Sequence, residues 1–131
     1  MNKFFYLSTC DTCKKIMKTL QLPEQIELID IKFRPILEDE LDRMKDLSGS
    51  FESLFSKKAI KFRSLGLNNQ ELSEHDYKRL ILEEYTFLKR PVLVIDDHIV
   101  VGNSKVAIEK MLNHLEQFTG LFYFDVLGLY N

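Results

Sequence analysis

The chain has 131 residues, 45% of them hydrophobic and 29% charged, with a formal net charge of -2. That balance suits one globular domain with a single sizeable core and excludes a disordered or fibrous protein. No overall charge recruits nucleic acid or an anionic membrane, and the basic cluster KKAIKFR (Lys57, Lys58, Lys61, Arg63) reads as a solvated helix face or an anion or partner contact.

MNKFFYL begins like a secretory signal, but its apolar run stops at Ser8, short of the roughly 7–15 residues such a region needs. No segment approaches the ~20 apolar residues of a membrane span. The expected setting is the cytoplasm, where structural disulfides are uncommon.

KFFYL (3–7) has the composition of a buried strand. Residues 11–21 follow as a helix, with Cys13, Ile16, Met17 and Leu20 at helical spacing and Pro23 as its stop. EQIELIDI (24–31) reads as a second strand. Pro35 then opens a helix whose apolar set is Leu37, Leu41, Met44 and Leu47. Glu38, Asp39 and Glu40 lie in its first turn, at the positive end of the dipole. Gly49 breaks the pattern as a C-cap.

Two short helical pieces are expected near 50–57 and 58–64, then a turn-rich LGLNNQ. Ser73 and Asp76 have capping-box spacing ahead of a helix carrying Tyr77, Leu80, Ile81, Tyr85 and Leu88 on one face. RPVLVIDDHIVVG (90–102) predicts two strands joined at Asp96-Asp97, with Pro91 at the head of the first. A last helix from Asn103 or Ser104 carries Ile108, Met111, Leu112 and Leu115. The apolar tail 117–131 (QFTGLFYFDVLGLYN) is expected to pack back on the core or to meet a partner. The order is βαβ, a helical insertion at about 35–88, ββ and α: an α/β chain on a thioredoxin-like plan, with a small mixed sheet and flanking helices, read as one domain over 1–131.

The chemistry lies in STCDTCK. Cys10 falls where the first strand hands over to the first helix. There the unpaired N–H groups and the dipole favour a thiolate, and Lys14 and Lys15 add positive charge. Cys13, one turn further in, is placed to resolve a mixed disulfide or sulfenic acid on Cys10. A zinc site would need about four ligands, and His75, His98 and His114 are scattered, so no metal is expected. A CxxC at this point of a βαβ unit points to redox work.

YLSTCDTCKK, the helical insertion and LKRPVLVIDDHIVVG with its closing helix together resemble the arsenate reductase (ArsC) and Spx family over about residues 3–116. The resemblance implies a thioredoxin-like fold and a cis proline beside the reactive cysteine, here Pro91 after Arg90. It implies a nucleophile at Cys10 and an oxyanion held by three arginines, of which Arg90 matches the second. The first position falls at Ser56-Lys57 and the third at Asn103, so two guanidiniums are absent; Lys57 or Lys105 offers only a point charge. The implied substrate is a small oxyanion or a protein disulfide, with no bound cofactor and glutathione, glutaredoxin or thioredoxin as electron donor. Arsenate reductases of this type commonly lack a cysteine at the Cys13 position, whereas Spx regulators carry CxxC. The second implied function is therefore redox-sensing regulation through the RNA polymerase α subunit, with Gly49 matching a contact glycine.

Overall fold

A computed structural model describes residues 1–127, with side chains through residue 120. Its strands are β1 (Lys3–Tyr6), β2 (Glu27–Asp30), β3 (Val92–Ile95) and β4 (His98–Val101). Its helices are α1 (Asp11–Leu20), α2 (Glu38–Ser48), α3 (Ile60–Ser64), α4 (Glu74–Glu83) and α5 (Lys105–Leu127). Short 3₁₀ turns at Glu52–Leu54, Leu67–Asn69 and Tyr85–Phe87 join the middle helices.

The sheet order is β2-β1-β3-β4. β1 runs parallel to β2 and antiparallel to β3, and β3 pairs antiparallel with β4. Alternation along the central strands divides the interior in two. Phe4, Leu93 and Ile95 meet Ile16 and Leu20 of α1 and Ala107, Met111 and Leu115 of α5 on one face. Phe5, Val92 and Val94 meet Leu41, Met44, Phe55, Leu80 and Phe87 on the other. Every residue of β3 is buried, as a strand covered on both faces requires. This is the mixed α/β architecture that the element order implied.

Some boundaries differ, each for a local reason. α1 stops at Leu20, before Pro23 acts, because Gln21 turns left-handed (φ 49°) and its N–H bonds back to Met17 O. α2 begins at Glu38 rather than at Pro35, with Leu37 as its N-cap. Leu37 leaves the apolar stripe and is 54% exposed. Glu40 turns inward instead and is 4% exposed. Its Oε1 accepts from the Leu37 N–H at 2.9 Å, and Arg34 and Lys3 donate to the same carboxylate (Nη2–Oε2 2.7 Å, Nζ–Oε2 2.8 Å). Leu112 is likewise exposed, leaving Met111 and Leu115 to dock α5.

Gly49 caps α2 at φ 100°, a conformation that glycine adopts without a Cβ penalty. Ser73 and Asp76 form the capping box of α4. α5 runs to Leu127, so residues 117–127 continue the helix. The packing expected of the tail beyond residue 120 lies outside the described side chains.

Candidate functional site

β1 ends one turn short of α1, and the connection places Cys10 at the α1 N-cap in extended conformation (φ -98°, ψ 112°). The Cys10 N–H bonds to Leu7 O at 3.0 Å, and its carbonyl accepts from Lys14 N at 3.2 Å. Cys10 is partly exposed, Cys13 is buried, and both are free thiols. Partial burial works against a Cys10 thiolate. The N–H and thiol of Cys13, the N–H of Thr12 and the charge of Arg90 outweigh it and lower the Cys10 pKa. Burial and the neighbouring Cys10 push the Cys13 thiol the other way, up to about 11. One sulfur is therefore poised to ionise and the other to stay protonated. We expect iodoacetamide at pH 7 to label Cys10 and leave Cys13 unlabelled in the folded chain; peptide mapping with equal labelling of the two would contradict this.

Arg90 is delivered by a cis Arg90-Pro91 peptide at the head of β3. Its Nη1 donates to Thr86 O (3.1 Å) and Leu88 O (3.0 Å), which fixes the guanidinium plane. Its Nε is buried with no protein acceptor among the described residues, and the residue borders the adjoining space.

That space is a cavity of about 720 Å³ bordered by Cys10 and Arg90. Phe55 bridges Leu88, with Ser56 N–H to Phe87 O at 2.7 Å and Lys89 N–H to Leu54 O at 2.8 Å. This pairing lays Ser56, Lys57 and Lys58 beside Lys89 and Arg90 on the cavity wall. The β4–α5 loop closes another side with Gly102, Asn103 and Ser104. Gly102 N–H bonds to Pro91 O at 2.9 Å, and Ser104 Oγ accepts from Ala107 N–H at 3.0 Å, capping α5.

Cys10, Arg90, Lys57 and Asn103 thus share one cavity, and Ser56 joins them. The three positions expected to carry arginines do converge, with one arginine among them. Pro91 is buried behind the wall. Lys14 is exposed on α1, and neither it nor Lys105 is among the lining residues. Cys10 therefore gains its charge partner from Arg90 rather than from its own helix. Lys57 does not replace a guanidinium: it brings a point charge rather than a paired fork, and its Nζ lies 3.5 Å from the carboxylate of Glu52.

Sequence reasoning missed Ser50, Glu52, Ser53, Lys58, Lys89 and Ser104 in the lining. Only Lys89, adjacent to Arg90, and Lys58, inside the basic cluster, carried a signal. Two of the three histidines, scattered in sequence, meet in the fold: His98 opens β4 and stacks on His114 of α5 with ring centroids 4.5 Å apart. Among the described residues no group of three metal-ligating side chains comes together, and no helix is long and apolar enough to cross a membrane.

Comparison with known proteins places this geometry in a family. The family model described as the ArsC family matches residues 5–111. The global transcriptional regulator Spx 2 of Bacillus cereus is 28% identical over 109 residues, covering 80% of this chain and 82% of the relative. The regulatory protein MgsR of Bacillus subtilis is 24% identical over 111 residues, covering 82% and 87%. Among solved structures, an arsenate reductase from Vibrio cholerae superposes with a TM-score of 0.69, covering 87% of this chain and 97% of that one. At 17% identity it shows the shared fold alone. With a family match over most of its length and a fold shared with the solved structures, the chain belongs to the ArsC family and has its thioredoxin-like fold.

Proposed function

We propose that the protein is a cytoplasmic dithiol redox protein in which Cys10 attacks and Cys13 resolves. The observation that carries this reading is the placement of two free thiols at one helix start, Cys10 at the α1 N-cap on the cavity wall with Arg90 and Cys13 buried one turn further in. That arrangement draws the Cys10 pKa down and pushes that of Cys13 up. The Cys10 thiolate attacks a disulfide sulfur, the old S–S bond breaks, and one thiolate leaves. Cys13 then gives up its proton, attacks Cys10, expels the second thiol and closes an intramolecular disulfide. Arg90 stabilises the Cys10 thiolate and sets a guanidinium charge on the cavity wall. Glutathione, glutaredoxin or thioredoxin returns the pair to the dithiol, as a cytoplasmic setting provides.

Reduction of arsenate is a poorer fit. Ser56 and Asn103 bring no charge, Lys57 brings a point charge with the carboxylate of Glu52 beside it, and a tetrahedral oxyanion would meet one guanidinium. An arsenate reductase assay with each of the three donors, on wild type, Cys10→Ser and Cys13→Ser, tests this. The expected result is no sustained turnover, with the oxidised pair reduced by at least one donor. Turnover that survives Cys13→Ser and disappears in Cys10→Ser would instead make the chain a one-cysteine oxyanion reductase.

A second reading is supported by the two curated relatives, both named as regulators. In it the same disulfide is a switch, and the partner is RNA polymerase, met through its α subunit near Gly49. Pull-down of purified polymerase α in one redox state only is the outcome that this reading expects. Absence of binding in both states removes it.

A further inference from the structure

The cavity beside Cys10 carries more than an inorganic anion needs. Its volume, about 720 Å³, falls within the roughly 300–1,000 Å³ of small organic ligand sites. Glu52 is the one carboxylate among its described lining residues, set amid Lys57, Lys58, Lys89 and Arg90.

Glu52 is held in place. Its Oε2 accepts from the Tyr77 hydroxyl at 2.8 Å, and Tyr77 is itself buried against Phe55 with ring centroids 4.9 Å apart. Lys57 Nζ lies 3.5 Å from the same oxygen and 5.9 Å from the Tyr77 ring centroid. Oε1 accepts no hydrogen bond among the described residues, and the two side chains remain 56% and 53% open to solvent. A fixed carboxylate and an ammonium therefore stand side by side on the wall of a thiol cavity. The group that complements both is an ammonium and a carboxylate on one carbon, the head of an α-amino acid. A purely anionic ligand meets the charge of Glu52, and a purely cationic one meets the four basic side chains.

We propose that Glu52 and Lys57 bind the zwitterionic head of an amino-acid disulfide and present its sulfur to Cys10. This rests on the reading of Cys10 as the attacking thiol. Glu52 accepts from the ammonium, Lys57 donates to the carboxylate, and Tyr77 is the positioning residue that holds Glu52. In the exchange, Cys10 takes the near half of the disulfide and the far half leaves as a thiol. Cys13 then releases the near half as a second thiol, and the chain is left oxidised.

The test uses four disulfides that share a CH₂–S–S–CH₂ centre: cystine (zwitterionic), cystamine (cationic), 3,3′-dithiodipropionate (anionic) and 2-hydroxyethyl disulfide (neutral). Rate constants for the reduced full chain are divided by that for the neutral disulfide within each variant, so changes at Cys10 itself cancel. In wild type we expect cystine to lead both charged analogues by about tenfold, the scale of one charge-assisted hydrogen bond. Glu52→Gln and Lys57→Gln should each remove most of that lead, and Glu52→Gln should raise the anionic analogue relative to the neutral one. No cystine lead in wild type, or a lead that Glu52→Gln leaves intact, overturns the assignment. A wild-type rate with the neutral disulfide no faster than that of a model thiol peptide overturns the Cys10 reading itself, and this assignment with it.

Discussion

Cys10→Ser will slow reaction with a neutral disulfide by more than about 10³-fold, because the hydroxyl that remains neither ionises near neutral pH nor matches a thiolate as a nucleophile. Cys13→Ser separates the two steps. Its first step should proceed and the adduct should persist, since the group that expels the second thiol is gone. The pKa order explains the direction of traffic. Cys10, lowered by the N–H groups of Cys13 and Thr12 and by Arg90, is the better attacking and leaving sulfur. Cys13, at about 11, stays protonated until Cys10 has been captured and its negative charge neutralised. Stopped-flow kinetics of both variants at pH 7 measure this. A Cys10→Ser chain that reacts at the wild-type rate would transfer the nucleophile to Cys13.

The second large effect concerns stability. Glu40, 4% exposed, joins Lys3 at the start of β1 to Arg34 in the loop ahead of α2. Burial opposes its charge, but hydrogen bonds from Arg34, Lys3 and the Leu37 N–H draw its pKa from 4.5 down to about 2. With the folded value below the unfolded one, this contribution is fully present above about pH 4.5. It is lost as the pH falls through 2. Glu40→Gln should cost about 2–3 kcal/mol at pH 7, less than a wholly buried pair because Lys3 and Arg34 keep access to water. Urea unfolding of wild type and variant should show that gap narrowing steadily between pH 5 and pH 2. A gap below about 0.5 kcal/mol, or one independent of pH, would show that the ion triad does not hold β1 to α2.

Glu40 also marks where the sequence stops being legible. Strand β1, helix α1 and the hairpin of β3 and β4 could be read because their signals are local. Alternating Phe4 and Phe5, the 3–4 spacing of Cys13, Ile16 and Leu20, and an Asp-Asp turn each lie within a few residues. A carboxylate in the first turn of a helix ordinarily faces water, and nothing near Glu40 announces that Lys3, 37 residues away, will meet it. The cavity divides in the same way. Cys10 could be placed by its position at a strand–helix junction, and Arg90, Lys57 and Asn103 through the family resemblance.

Glu52, Ser50 and Ser53 reach the cavity because Phe55 bridges Leu88 and draws two distant loops together. Ser53 Oγ is already committed to Ser50 O at 2.7 Å, so these serines read as ordinary turn residues in the sequence. The Glu52–Lys57 pair had an equally plain appearance, two opposite charges five residues apart. Tyr77, on another helix, is what fixes it. Lys14 was a candidate only because it lies near Cys10 in sequence; it stands on the exposed side of α1, away from the cavity lining.

The most direct test of the two-thiol account is intact-mass analysis of the reduced wild-type chain during reaction with 2-hydroxyethyl disulfide. The account predicts a transient species carrying one mercaptoethanol, then its decay to a chain lighter than the starting protein by two hydrogens, with Cys10 and Cys13 joined in the same peptide. A mercaptoethanol adduct that persists on wild type, or a chain that stays unmodified, would contradict it.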